Sequence, residues 1–252
     1  MVILEKKMSE PTKGYVIVAS RREVFYVFAM NLMESILEFY PDAKFCLVTE
    51  ERFLDGREKI ADKVIFCDDH KRAKLWGMAQ SPYDITFYID ADTECEHGDI
   101  EHVFDELGDY DVLFTGLPEE RSYCYAQLKF PGGQFYLCGA VCLYDMRNPL
   151  VKEFMQDWYD LTVKQYAGTW WPKKEDGTWD EDLYPRSLAR WDQFTLWWLT
   201  QKEPKYKDLK VGVFEDDARW NYFSRYKYDH NIKPVVLRHW SASDVKHMEF
   251  TL

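Results

Sequence analysis

No run of apolar residues approaches the roughly 20 needed to cross a bilayer, and the opening Met1 to Lys7 is apolar over too few positions for a secretory signal. The expectation is therefore an intracellular, cytoplasmic protein with no membrane span. Basic residues are outnumbered, 32 Lys and Arg against 44 Asp and Glu. A main activity on nucleic acid is excluded on that ground, because phosphate contacts need a basic face. Any diphosphate ligand would need a metal ion or a local cluster of cations. The six cysteines (46, 67, 95, 124, 138 and 142) include no Cys-x-x-Cys pair, and most fall inside apolar runs. They read as buried small hydrophobes rather than a zinc site or a disulfide framework. No Gly-x-Gly-x-x-Gly follows the first strand, which counts against a dinucleotide fold. Neither an internal repeat nor a linker interrupts the chain, so 1–252 reads as one domain.

What is present is α/β punctuation. A buried strand over 14–20 is followed by a helix over 23–39, strands at 45–48 and 64–67, and a helix over 71–80 carrying Lys74. This order predicts a mostly parallel, Rossmann-like sheet flanked by helices. Ile85 to Ile89 then forms a strand that runs into Asp90-Ala91-Asp92. A strand ending in this way delivers both acids to the carboxyl edge of the sheet, where open α/β folds place ligands. Two acids one residue apart can share a hard cation at about 2.0–2.6 Å and leave positions open for phosphate oxygens. The competing reading makes Asp90 and Asp92 turn or cap residues before a helix over 100–107. Further strands are expected at 111–115 and 135–144, and Gly139-Ala140 within the second marks a close approach by backbone or ligand. Asn148-Pro149 starts a helix to about 166, a second helix opens at 190–193, and short strands at 211–214 and 235–238 complete the set. Aromatics make up 17% of the chain, and Trp170, Trp171, Trp179, Trp191, Trp197 and Trp198 crowd one region. Trp197 and Trp198 read as core. Trp170, Trp171, Trp179 and Trp191, amid Asp176, Asp180, Glu181 and Asp182, read as a platform for a sugar, with flat faces for pyranose rings and carboxylates for hydroxyls.

In their order, Lys74-Leu75, Ser81-Pro82-Tyr83-Asp84, Phe87 to Thr93 and Val103-Phe104-Asp105 resemble the core of glycogenin-like retaining glycosyltransferases of the GT-A fold. Cys138 to Tyr144 resembles that family's Asn-Ser-Gly-Val strand, and Trp191-Asp192-Gln193 its Asp-Gln helix start. Val236-Leu237-Arg238-His239 resembles its metal-binding histidine, and the likeness covers about residues 14–246. It implies a nucleotide-diphosphate sugar donor, a UDP-sugar being favoured, held in 14–115, and a saccharide or glycoconjugate acceptor held in 116–252. A smaller mixed C-terminal part is implied as well. By the same resemblance Asp90, Asp92 and His239 would hold Mn²⁺ or Mg²⁺, with Ala91 between the two acids. Lys74 would reach the donor, Ala19 and Ser20 would border the nucleobase, Gly139 and Ala140 would line the donor site, and Asp192 and Gln193 would face the transferring sugar.

Departures from that pattern are equally specific. The family's His-x-x-Gly-x-x-Lys-Pro-Trp ending is here His239 to Lys246, with Ala242 for the glycine, the lysine one place late and no Pro-Trp. Cys138-Gly139-Ala140 lacks the sugar-binding asparagine. Pro131-Gly132-Gly133-Gln134 followed by Gly139-Ala140 resembles instead the retaining branch related to blood-group transferases. On the residues alone, Lys74 reads as a solvated surface lysine, Asp192 can also be a helix cap, and His247 is a rival to His239. Two other functions stay open: a sugar nucleotidyltransferase, for which Ala19-Ser20-Arg21-Arg22 supplies charge but no glycine-rich loop, and an inactive carbohydrate-binding protein.

Overall fold

Tyr15, Ile17 and Ala19 are buried on one side of strand β1 (Lys13–Ala19), and Val16 and Val18 on the other. A strand covered on both faces reads as an unbroken apolar run rather than an alternation. The computed structural model describes residues 10–68, 72–116, 137–180, 191–223 and 234–240. Helix α1 (Glu23–Phe39) returns the chain to β2 (Phe45–Thr49), and two short 3-10 turns lead to β3 (Lys63–Phe66). Helix α2 (Ala73–Ala79) then crosses to β4 (Ile85–Asp90), which pairs with the opposite edge of β1.

After the acids come a short β5 (Thr93–Cys95), a 3-10 segment over Gly98–Leu107, and β6 (Val112–Gly116). Strand β7 (Leu137–Asp145) and helix α3 (Pro149–Tyr166) follow. Next are α4 (Asp192–Gln201), β8 (Val211–Val213), α5 (Asp217–Trp220), β9 (Tyr222–Phe223) and β10 (Leu237–His239). The seven-stranded sheet runs β3-β2-β1-β4-β7-β6-β8, with β7 antiparallel to both neighbours and the other pairings parallel. A second, mixed sheet runs β5-β10-β9. The expected α/β architecture with a small mixed part is thus present.

One face of the large sheet packs on α1 and the Gly98–Leu107 segment through Tyr15, Phe45, Phe87 and Ile100; the other packs on α2, α3 and α4 through Val16, Tyr88, Phe154 and Trp158. The helix expected over 100–107 is a 3-10 segment, opened by the His97 side chain accepting from the Asp99 N–H at 3.2 Å. Strands β5 and β9 were not expected. They hold only three and two residues, too few for a period to register. The expected Asn148 cap is present, its side chain accepting from the Leu150 N–H at 2.9 Å.

Gly139 corrects one detail. The group that approaches it closely is the Trp158 indole, whose Cη2 would lie 2.7 Å from an added Cβ. Packing from α3, rather than a ligand or a backbone, accounts for the glycine. Pro131 to Gln134, Glu181, Asp182, Cys124, Lys246 and His247 lie outside the described residues. No disulfide joins any two of the five described cysteines.

Candidate active site

The parallel register aligns Val18 with Asp90, so Ala19 and Ser20 at the end of β1 and Asp90-Ala91-Asp92 at the end of β4 share the carboxyl edge of the sheet. Asp90 accepts from the Tyr88 hydroxyl at 2.5 Å. The two residues lie on one side of the strand because its side-chain period is two. Beside them Ala19 is buried, its carbonyl accepting from the Thr49 hydroxyl at 2.8 Å. The turn after Ser20 places Arg21 at φ 73°, a left-handed conformation that favours glycine. Its N–H is held by the buried Glu50 carboxylate.

The second sheet carries the histidine. Strand β10 pairs antiparallel with β5 so that His239 opposes Thr93, and the Trp240 N–H donates to the Asp92 carbonyl at 2.8 Å. This pairing brings His239 Nε2 to 3.3 Å from Asp92 Oδ1 although 147 positions separate them. Donor atoms of Asp90, Asp92 and His239 all lie within 4.8 Å of one another. Neighbouring ligands of a Mg²⁺-sized ion stand about 3 Å apart, given bonds of about 2.0–2.1 Å. The three side chains therefore fit a divalent ion after drawing in by about 1–2 Å. Two hard oxygens and one imidazole suit Mn²⁺ or Mg²⁺, with the nitrogen favouring the former.

Lys74 is not a solvated surface lysine. Its ammonium lies 3.7 Å from Asp90 and 3.4 Å from Asp192, and it donates to the Gly139 carbonyl at 3.5 Å. Arg72 adds a second cation 3.5 Å from Asp192 and also donates to the Tyr166 hydroxyl at 2.6 Å. Asp192, at the first position of α4, and Gln193 beside it are both buried. Burial pulls the Lys74 ammonium down, but the two carboxylates outweigh it and hold the group above an ordinary lysine. Burial likewise works against the Asp192 carboxylate and is outweighed by Lys74 and Arg72, which keep it below the usual range. The same contest at Asp92 is won by His239, while Asp90 is left above the usual range by burial and by its neighbour Asp92. A carboxylate penalised for its charge gains from a bound cation.

Of the expected tryptophans, Trp170, Trp171 and Trp191 gather on α4 and Trp179 joins them through Trp171. Trp171 and Trp179 stack with ring centres 4.2 Å apart, and Trp170 lies 6.5 Å from Trp171. Trp170 and Trp171 pack on Phe194, and Trp191 joins the same cluster. The structure thus brings together Lys74, Asp90, Asp92, Asp192 and His239, and sets the tryptophans at the helix that bears Asp192. Sequence reasoning missed Arg72, Tyr88, Asn221 and Trp158. Of these only Tyr88 carried a signal, its place two residues before Asp90 on one strand. Trp158 donates from Nε1 to the Asp192 carbonyl at 3.1 Å, so the indole that fills the space over Gly139 also braces the first turn of α4.

Neither a family model nor a curated protein matches the sequence. Solved structures do match. The galactosyltransferase LgtC in complex with donor and acceptor sugar analogs aligns over 90% of this chain and 86% of its own, with 15% identity and a TM-score of 0.55. Mouse xyloside xylosyltransferase 1 aligns over 93% and 99%, at 14% identity and a TM-score of 0.54. The glycosyltransferase GlyE of Streptococcus pneumoniae aligns over 95% of this chain but 58% of its own, with a TM-score of 0.58. The chain has the GT-A fold. At these identities the likeness concerns the fold alone. On this GT-A frame, the Asp-Ala-Asp turn, His239, Lys74 and Asp192 converge on one edge of the sheet.

Proposed function

We propose that the chain is a glycosyltransferase that moves a sugar, with retention, from a nucleotide-diphosphate sugar to a saccharide or glycoconjugate acceptor. A UDP-sugar is the favoured donor. The observation that carries this reading is the meeting of Asp90, Asp92 and His239 within 4.8 Å at the sheet edge where open α/β folds bind ligands. The fold of solved sugar transferases supports it.

Asp90, Asp92 and His239 would hold Mn²⁺ or Mg²⁺, which supplies charge neutralisation to a departing nucleoside diphosphate. Ala19 and Ser20 border the base, and Gly139 and Ala140 the donor sugar. Lys74, held between Asp90 and Asp192, is placed to offer its ammonium to the donor's phosphate or sugar oxygens. Asp192 and Gln193 face the transferring sugar from the opposite wall; an active-site glutamine has been substituted in one LgtC structure. Residues 14–115 would bind the donor and 116–252 the acceptor, with Trp170, Trp171, Trp179 and Trp191 as its platform.

Calorimetry with UDP, GDP and their sugars, with and without Mn²⁺, tests the reading. Metal-dependent binding of a nucleoside diphosphate is expected. Preference for a triphosphate would point to a nucleotidyltransferase, and absence of nucleotide binding to an inactive carbohydrate-binding protein. Asp92→Asn is expected to abolish transfer while the urea unfolding midpoint stays close to that of the parent; transfer surviving that change would remove the metal from the reaction.

A further inference from the structure

Behind His239 stands a fully buried amide that the proposed chemistry does not use. Asn221, between α5 and β9, is 0% exposed. Its Oδ1 lies 2.9 Å from His239 Nδ1, and its Nδ2 lies 3.0 Å from Thr115 Oγ1 and 3.8 Å from Cys138 Sγ. The amide nitrogen carries two hydrogens and the amide oxygen none. The oxygen is the amide atom that faces Nδ1, and it can only accept, so the ring atom opposite it bears a hydrogen.

We infer that Asn221 is a positioning residue that keeps a proton on Nδ1 of His239 and so presents Nε2, on the Asp92 side, as the ligand atom. This deepens the metal-site reading and rests on it for its second half only. Three features hold the arrangement. The Phe223 ring lies against the imidazole, 4.3 Å between centres and 24° from parallel, which restricts rotation of the histidine. Pairing of β9 with β10 sets Phe223 opposite His239, so the stack is built into the small sheet. Thr115, on β6, anchors the amide from the large sheet. The Asp92 carboxylate competes from the other end, because at 3.3 Å from Nε2 it favours a proton there. A neutral imidazole carries only one hydrogen, and without Asn221 that hydrogen belongs at Nε2, where it blocks a metal. Outer partners of metal-bound histidines commonly fix the tautomer in this way, and their loss costs about 10–100-fold in metal affinity.

The test begins on metal-free protein carrying ¹⁵N-histidine, above the pH at which imidazole protonates. His239 signals are assigned by their absence in His239→Gln. The parent should show the hydrogen on Nδ1, Asn221→Asp, which keeps the acceptor, should do the same, and Asn221→Leu should move it to Nε2. Thr115→Val, a milder change that removes the amide's anchor, should yield a mixture of both forms and serves if the leucine variant does not fold. Paramagnetic resonance of free Mn²⁺ should then show affinity falling about 10–100-fold in Asn221→Leu and changing little in Asn221→Asp. A parent protein with its hydrogen on Nε2, or tautomers unmoved in both Asn221→Leu and Thr115→Val, would overturn the inference. The predicted tautomers together with no Mn²⁺ binding by any variant, parent included, would uphold the proton placement and sink the metal reading instead.

Discussion

Lys74 and Asp192 show how a charge is kept inside a protein whose overall balance is acidic. Their side chains are 23% and 5% exposed, so neither ion could be left without a partner at little cost. Lys74→Met takes the ammonium away from Asp90, which keeps the Tyr88 hydroxyl, and leaves Arg72 as the cation beside Asp192. We expect a loss of about 1–3 kcal/mol in urea unfolding, below the figure for a fully buried pair because water still reaches the lysine. The acid side has a definite sign. Asp192 is held below its ordinary value, so its contribution is present above about pH 4 and is lost as the pH falls through the folded-state value. The stability gap between the parent and Asp192→Asn should therefore be wide at pH 6 and narrower at pH 3. A gap unchanged between the two would show that the carboxylate's charge is not what stabilises. Of the residues in this cluster, Asp90 and Asp92 were legible from a strand that ends in acids. Arg72 was not, because an arginine near a helix start has the same look whether it faces solvent or a buried aspartate.

At the scale of elements, α3 links the sheet to the site. Its Trp158 fills the space over Gly139 on β7 and donates to the carbonyl of Asp192 on α4, so one side chain touches both the sheet and the helix that bears the acid. Gly139→Ala would set a methyl 2.7 Å from the indole. Overpacking of this kind costs about 1–3 kcal/mol, and a lowered melting temperature should accompany it. Trp158→Phe removes the indole N–H, at roughly 1 kcal/mol. It also leaves a cavity over Gly139 where the larger ring stood, so its melting temperature should fall further than loss of the hydrogen bond alone would give. The boundaries of α1 and α3 were legible because their apolar stripes and the Asn148-Pro149 start are local signals. Strand β5 was not, since Thr93 to Cys95 gains its identity only by pairing with β10.

For the whole molecule, the acidic excess would be reconciled with the proposed diphosphate donor by local arrangement: Lys74, Arg72 and a divalent cation would all stand at one edge of the sheet. The aromatic excess is similarly local. Trp171 stacks between Trp170 and Trp179, and Trp170 and Trp171 pack on Phe194, so part of the aromatic surface is spent on the cluster itself. If the outer surface of that cluster receives the acceptor, Trp170→Ala and Trp179→Ala should raise the acceptor KM while sparing donor hydrolysis. Unchanged acceptor kinetics would assign the cluster to packing alone. Among the described residues no helix is long and apolar enough to cross a membrane.

By itself the amino-acid sequence determined the order of the longer strands and helices, because hydrophobic period and capping act over a few residues, and it determined that the Asp-Ala-Asp turn lies at a strand end. Only the tertiary structure decided which distant groups meet there. His239 reaches Asp92 through a three-residue strand, Asn221 reaches His239 from the position just before a two-residue one, and Trp158 joins Gly139 to Asp192 across two elements. Such contacts depend on strand pairing and packing between segments far apart in the chain, and they leave no periodic trace in either segment.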